Sequence, residues 1–499
     1  MEILRKDIVI AGAGAAGLAA AISAAEKGAK VLVLEKRERV GGISVTGMGL
    51  FAVESRLQKL KNHPLTREEA FHFFMDCTHW RADGKLVAKY INRSASTIDW
   101  LEDMGVKFQL LDITWGQHAF NQTGHIVCTP EGLKLRGGVT NYMIQSMLER
   151  AVSLGVEVMV NTEIEDIIKE NGRVASVIAK SSEGTEFEIQ TKAAVITTGG
   201  YASDPEMLME HDARTLNRDF FMMHNIRLDG KGIKLAWKAG AGCDGMCLQQ
   251  GGFVSGIDRH AYPDTKKIPF SNWLTGAAEC PVLYVNLNGR RFIDESLFSK
   301  TYKGNAIARQ KNKICYAVFD SNTVDYMENV GVQDVGYMDR ESPRLKNIRE
   351  IIEKNAAENT PCVVMADTLE ALALKCGIDA ENLAQTVDTY NEACDKGWDQ
   401  EFGKGRPWLQ PVRSPRFYAL MIRLEGYGTV GGIRINENGE AVTDNDERIP
   451  GLYAAGDCAN NAVSWDYSLV YTLWGSTLGL AVNTGRFAGE SAGDYIKTI

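Results

Sequence analysis

Residues 7–35 constrain this chain more than any other stretch. Asp7-Ile8-Val9-Ile10 is a β-branched run that reads as a buried parallel strand. It runs directly into Ala11-Gly12-Ala13-Gly14-Ala15-Ala16-Gly17. Gly12 permits the tight turn, Gly14 lets the backbone approach a pyrophosphate, and Gly17 lets a helix pack on the strand. An alanine-rich helix is expected over Ala15–Lys27, and the N–H groups of its first turn, at Ala15 and Ala16, point at phosphate. Val31–Leu34 is the second strand. Glu35 ends it, placed to accept hydrogen bonds from both hydroxyls of an adenosine ribose, with Lys36 beside it. Strand, glycine turn, helix, strand and acid together are far more specific than a lone Gly-x-Gly-x-x-Gly.

A second Gly-rich stretch, Val40-Gly41-Gly42-Ile43-Ser44-Val45-Thr46-Gly47-Met48-Gly49, follows at once. A nicotinamide dehydrogenase has no need of it. A flavoprotein does, because the isoalloxazine must lie along backbone that approaches without side chains. Two further segments suit the same ligand. Ala193–Ile196 opens through Thr197 into Thr198-Gly199-Gly200, and Ile449–Ala455 ends in Gly456-Asp457. These segments, from both ends of the chain, read as one FAD site.

Composition removes several alternatives. With 499 residues, 44% hydrophobic and 24% charged, the chain has room for two domains and a large core. A net charge of −9 argues against nucleic acid and anionic membrane surfaces. No stretch approaches the roughly 20 apolar residues of a membrane span. The first strand starts by residue 7, so no apolar leader is expected. Ten scattered cysteines form no disulfide framework, which points to a reducing cytoplasm. Cys243 and Cys247, the only close pair, read as small buried hydrophobes near a helix end. No haem-attachment motif, iron–sulfur cluster run, metal site or second dinucleotide fingerprint is present. Electrons must therefore reach FAD from a separate protein, a diffusible carrier or the substrate.

Between these landmarks the pattern changes twice. Helices are expected at Lys85–Glu102 and Tyr142–Ser153, then three short strands at Ile164–Ile168, Val174–Ile178 and Phe187–Gln190. From about 247 to 425 the chain mixes strands (Val282–Asn286, Cys315–Phe319) with polar helices (Asn347–Asn355, Leu369–Lys375, Asn382–Asp395) and several prolines. The expected class is α/β. A Rossmann-like FAD-binding domain in two segments, 1–246 and 426–499, carries an inserted α+β cap, 247–425.

The chain resembles the fumarate reductase/succinate dehydrogenase flavoprotein family, which also holds ketosteroid dehydrogenases and urocanate reductases. The resemblance rests on Gly12–Gly17 with Glu35, Gly41–Gly49, Thr198–Tyr201 and Gly230-Lys231-Gly232-Ile233. It continues through Val285-Asn286-Leu287-Asn288-Gly289-Arg290-Arg291-Phe292, Gly428-Thr429-Val430-Gly431-Gly432, Gly451–Asp457 and Gly485–Gly489. It implies an FAD-dependent oxidoreductase acting on CH–CH bonds. Covalent members carry a histidine near the position of Val45; this chain has none before His63, so FAD is expected to bind non-covalently. Ser44, Thr46 and Gly47 are expected near the pyrophosphate and flavin N5 edge, and Asp457 near the ribityl chain or the phosphates. The helix opening at Ser476-Thr477-Leu478 should face the flavin C2 carbonyl.

The substrate side departs from fumarate reductases. The register of their proton-donating arginine falls on Ser299, between Phe298 and Lys300. Their histidine falls on Gly428, and their second arginine is replaced by Ser464-Trp465-Asp466-Tyr467, with Tyr471 and Thr472 beyond. Tyrosine cannot copy the bidentate grip of arginine on a carboxylate. Aromatic residues crowd these positions: Tyr302, Trp465, Tyr467, Tyr471 and Trp474. His79-Trp80 and Trp115 with His118 stand in a segment that often borders the cavity. A flatter, more apolar or aromatic enone or enoate is implied, and fumarate is not. Tyr302, Tyr467 and Tyr471 are the candidate proton donors, active if neighbours lower their pKa. Arg291 is a further candidate in the family motif, or else an ion-pair residue that holds the cap. Asp466 is the alternative partner for a cationic substrate group. A competing assignment is the flavoprotein subunit of a larger electron-transfer complex with separate iron–sulfur partners.

Overall fold

The computed structural model describes the chain except residues 114–121, 133–137, 213–226, 255–271, 281, 298–299, 332–343, 359, 361 and 460–472. Its organising element follows from three apolar runs, Ile8–Ala11, Val31–Leu34 and Ala193–Ile196, each buried along its whole length. Such runs need cover on both faces, and they form the middle of a six-stranded sheet. Its order is Glu440–Val442, Arg448–Ala454, Ala193–Ile196, Ile8–Ala11, Val31–Leu34, Glu157–Met159. All neighbours are parallel except the first pair. Ala194 lies opposite Val9 on one side and Leu452 on the other, so chain ends over 400 residues apart meet in one sheet.

The first helix, Ala15–Glu26, is buried over its first ten residues. The last helix, Ser476–Tyr495, lies against it. A Cβ on Gly485 would strike the Ala16 carbonyl oxygen, and one on Gly489 the Ala20 carbonyl oxygen. The expected helices are present at Gly84–Glu102, capped by Asp83, and at Thr140–Ser153. The three expected short strands run longer, at Thr162–Glu170, Arg173–Ser181 and Glu186–Gln190. They gain a fourth, Glu2–Arg5, that no apolar pattern announced; it pairs parallel to Glu186–Gln190.

The cap is mixed. Leu283–Val285, Ile314–Asp320 and Val363–Ala366 join a sheet with the long strand Phe417–Ile433. Helices Ile348–Ala357, Leu369–Cys376 and Ala380–Lys396 cover it. Leu420, Ile422 and Leu424 belong to the cap core, whereas Val430 and Ile433 belong to the core beside the central sheet. One strand therefore crosses between the two cores, paired with Cys243–Val254 through two register shifts. Here one expectation fails: Cys243 is exposed and opens a strand, because the helix before it ends at Lys238 and the ribbon begins at once.

His125, on the strand Gln122–Val127, is buried with its Nε2 2.7 Å from Ser55 Oγ. Burial pushes its pKa down to about 3 from 6.5. The folded form stays neutral where the unfolded chain takes up a proton, so the stability contribution is complete above pH 6.5 and falls as pH drops toward 3. The slope in that window is about 1.4 kcal/mol per pH unit. Urea unfolding of His125→Gln is expected to lose that slope; identical slopes in both proteins would contradict the assignment.

Candidate active site

The nucleotide end of the site is built from backbone. Gly12 has φ 105°, and a Cβ there would sit 2.5 Å from the Thr197 carbonyl oxygen. A Cβ on Gly17 would run into the Gly12 carbonyl oxygen. At Gly14 an added Cβ meets nothing closer than Ser44 Oγ at 3.7 Å. That is the open cradle a pyrophosphate needs at a helix N-terminus. Ser44 Oγ already accepts from the Ala15 N–H at 3.2 Å.

Glu35 is buried, and its carboxylate accepts from the Ala13 N–H at 3.0 Å and the Arg37 N–H at 2.9 Å. A carboxylate has about four acceptor positions, so capacity for two ribose hydroxyls is left. Lys36 is spent differently. Its Nζ lies 2.8 Å from Asp229 and 3.8 Å from Glu163, which leaves only its backbone to a cofactor.

The flavin end brings three other segments together. Gly41 (φ 110°) bridges to Gly14 and leads into the 3-10 turn Gly42–Thr46. A Cβ on Gly47 would lie 3.4 Å from Leu478, at the start of the last helix. Thr46 Oγ1 donates to the Ile43 carbonyl within the turn. Gly199 has φ 75°, a Cβ on Gly200 would strike Thr429, and the Tyr201 N–H donates to Thr429 Oγ1 at 2.7 Å. Gly456 packs on Ala16, and Asp457 follows it in a one-turn 3-10 helix. Burial alone pushes the Asp457 carboxyl up to about 7. The Thr198 and Thr477 hydroxyls are buried without a hydrogen-bond partner among the described residues. Such groups are rare, and a polar cofactor running from Gly14 to Ser476 would satisfy them. The residues present therefore fit FAD.

The substrate side is less complete. Ser299, Trp465, Asp466, Tyr467, Tyr471, Thr472, Trp115 and His118 lie outside the described residues. Arg291 is described, and its surroundings argue against catalysis. Nε and one Nη hold Glu295 at 3.0 and 2.9 Å, both Nη hold Asp399 at 3.0 and 2.9 Å, and Nη1 reaches Glu401 at 3.1 Å. All five N–H bonds are used, so none remains for a substrate. Asp399 and Glu401 stand more than 100 residues away in sequence, and no local pattern could have pointed to them.

Tyr302, on the helix Lys300–Ala308, is 43% exposed. The expected neighbour-lowered pKa is not found. Partial burial, with the Cys77 thiol nearby, raises it. The phenol stays protonated at neutral pH, as a proton donor must, but is a weaker acid than free tyrosine. The approach of Cys77, at the end of the helix Arg67–Cys77, carried no signal in the sequence.

The fold and the site define a flavin-dependent oxidoreductase. A family model described as an FAD binding domain matches residues 7–478, and the chain belongs to that family. It is 31% identical over 504 residues to vinyl phenol reductase of Lactiplantibacillus plantarum, covering 98% of this chain and 96% of that protein. It is 28% identical over 453 residues to NADH:fumarate oxidoreductase of Klebsiella pneumoniae, where it covers 90% of this chain but spans only 44% of the relative. The solved 3-ketosteroid-Δ4-(5α)-dehydrogenase from Rhodococcus jostii shares the fold, with a TM-score of 0.75 at 24% identity over 98% of this chain and 97% of that one. The protein is an FAD-dependent oxidoreductase. Among the described residues no helix is long and apolar enough to cross a membrane, and no cluster of metal-binding side chains occurs.

Replacing Glu35 by alanine removes charge-assisted hydrogen bonds worth about 1.5–3 kcal/mol each. Titration of FAD into the deflavinated variant, followed by quenching of flavin fluorescence, is expected to show at least about a tenfold weaker Kd. An unchanged Kd would remove Glu35 from the site.

Proposed function

We propose that this enzyme reduces the C=C bond of a small aromatic alkene or enoate, with a vinyl phenol as the leading substrate, using non-covalently bound FAD. The observation that carries the proposal is identity to vinyl phenol reductase along nearly the whole of both chains. The family resemblance supports it as well, since the register it implies puts Ser299, Gly428 and Thr472 where fumarate reductases are expected to carry Arg, His and Arg. The other assignment, a flavoprotein subunit in a larger complex, draws on relatives of which this chain spans about half, such as the Klebsiella enzyme.

FAD held here, once reduced with two electrons from the external donor, would supply a hydride to one carbon of the double bond and return to its oxidised form. The chain supplies the rest. Glu35 holds the ribose, and the amides of Ala15 and Ala16 hold the pyrophosphate. Gly41, Gly42, Ser44, Thr46, Gly47, Thr198, Gly199 and Gly200 line the ring and its linker, and Asp457 accepts from a ribityl hydroxyl. The last helix presents the N–H groups of Ser476, Thr477 and Leu478 to negative charge on the ring. Tyr302, from the cap proposed as residues 247–425, meets a flat substrate, and Tyr467 and Tyr471 are the other candidates that the sequence offers. One of them delivers the proton to the carbon opposite the hydride acceptor. The electron donor is a separate protein or diffusible carrier, and ten cysteines without a disulfide framework support a reducing cytoplasm.

Acid or heat is expected to release all FAD into the supernatant; yellow colour kept by the precipitated polypeptide would show a covalent link. With reduced methyl viologen as donor, 4-vinylphenol or a hydroxycinnamate is expected to oxidise the dye at least about ten times faster than fumarate, a gap of about 1.4 kcal/mol in activation free energy. Fumarate turnover equal to theirs would overturn the proposal. Tyr302→Phe is expected to keep FAD and slow turnover by about 10²–10⁴-fold; a parental rate moves the donor role to Tyr467 or Tyr471.

A further inference from the structure

The structure assigns Lys303 as a positioning residue: from inside the cap it sets the helix Lys300–Ala308 so that Tyr302 faces the cleft. This rests on the proposal that Tyr302 meets the substrate. The helix reads Lys-Thr-Tyr-Lys-Gly-Asn-Ala-Ile-Ala, with a single large apolar residue, Ile307, which is fully buried. One isoleucine cannot fix the rotation of a nine-residue helix about its axis. Lys303 lies four residues before it on the same face and is 5% exposed. Tyr302, one position earlier, faces outward.

The seat of Lys303 is Tyr284. Its Nζ lies 3.4 Å from the Tyr284 hydroxyl and 5.1 Å from the ring centre. Tyr284 is itself immobile. Its hydroxyl donates to the Ala278 carbonyl, and its N–H donates to Glu295 Oε1 at 3.2 Å. Glu295 is fully buried at the hub of the ion cluster, held by Arg291 and by Lys404, whose Nζ is 3.2 Å from Oε2. Lys404 also donates to the Tyr390 hydroxyl at 2.8 Å. Replacing buried ion pairs with apolar residues is often neutral or stabilising, so a cluster this buried is poorly explained by stability. What it supplies is one fixed geometry, carried from Arg291 through Glu295 and Tyr284 to Lys303.

The test compares Lys303→Met, which keeps length and burial but loses the charge, with Lys303→Gln, which keeps a donor toward Tyr284. Each is made alone and with Tyr302→Phe, and FAD content and Tm are measured beside kcat and KM for 4-vinylphenol. Lys303→Met is expected to lose about tenfold in kcat with FAD content unchanged, and Lys303→Gln to recover most of it. The double variant Lys303→Met/Tyr302→Phe is expected to be no slower than Tyr302→Phe, because Lys303 acts through that hydroxyl. If Tyr302→Phe is slow while Lys303→Met and Lys303→Gln both turn over at the parental rate, the inference fails and the proton-donor proposal stands. Multiplying losses in the double variant would also overturn it. A parental rate for Tyr302→Phe alone would sink the proposal beneath it. If Lys303→Met does not fold, Tyr284→Phe, which removes the hydroxyl that Lys303 donates to, takes its place with the same expected loss, and a parental kcat for it overturns the inference.

Discussion

The contact on which the rest of this structure depends is the packing of the last helix on the first. Gly485 and Gly489 let two backbones approach where any side chain would strike the carbonyls of Ala16 and Ala20. On the other side the contact runs along Ala16, Ala20 and Ala24. This closeness holds chain segments more than 450 residues apart as one body. It also sets the two helices side by side, and the proposed FAD site uses the N-terminal amides of both. Gly12 and Gly41 are needed for the chain's own packing, since each has a positive φ and a Cβ there would strike Thr197 or Val45.

The cap works by a different physics. Its core is separate, and it reaches the FAD domain through a long two-stranded ribbon whose strand Phe417–Ile433 belongs to both cores. Inside the cap, two cations and two carboxylates are buried almost completely, with Glu401 at the rim. Arg291 sits 5.0 Å from the rings of both Tyr390 and Phe402. The cluster fastens the segment after the Asn-x-x-Gly-x-Arg-Phe motif to the loop that follows the helix Ala380–Lys396. That segment leads directly into the helix bearing Tyr302.

The FAD half of the molecule was largely legible in the sequence, because its signals are local. Gly12, Gly14, Gly17 and Glu35 stand within one strand–helix–strand unit, and the packing demands glycine at Gly12 and Gly17. The strand Glu2–Arg5 was not legible, since it is an exposed edge strand without alternation and depends on Glu186–Gln190 for its pairing. Lys36 was read as a cofactor residue, yet Asp229, far along the chain, takes its charge. Arg291 shows the same limit. Its motif was visible, but the carboxylates that satisfy it come from residues 399 and 401, and only the folded chain shows that its donors are used up. Tyr302 could be named as a candidate by its register, whereas its raised pKa depends on partial burial and the approach of Cys77.

The central claim is that this FAD-binding fold delivers hydride and proton to an aromatic alkene in preference to a dicarboxylate. The most direct measurement is a single turnover: the flavoprotein is photoreduced without oxygen, mixed rapidly with 4-vinylphenol or fumarate, and followed by the return of oxidised flavin absorbance. The account predicts reoxidation by 4-vinylphenol at about 10 per second, a typical enzymatic rate, with fumarate about a hundredfold slower or more, a difference of about 2.7 kcal/mol in activation free energy. Reoxidation by fumarate as fast as by the aromatic alkene would contradict it.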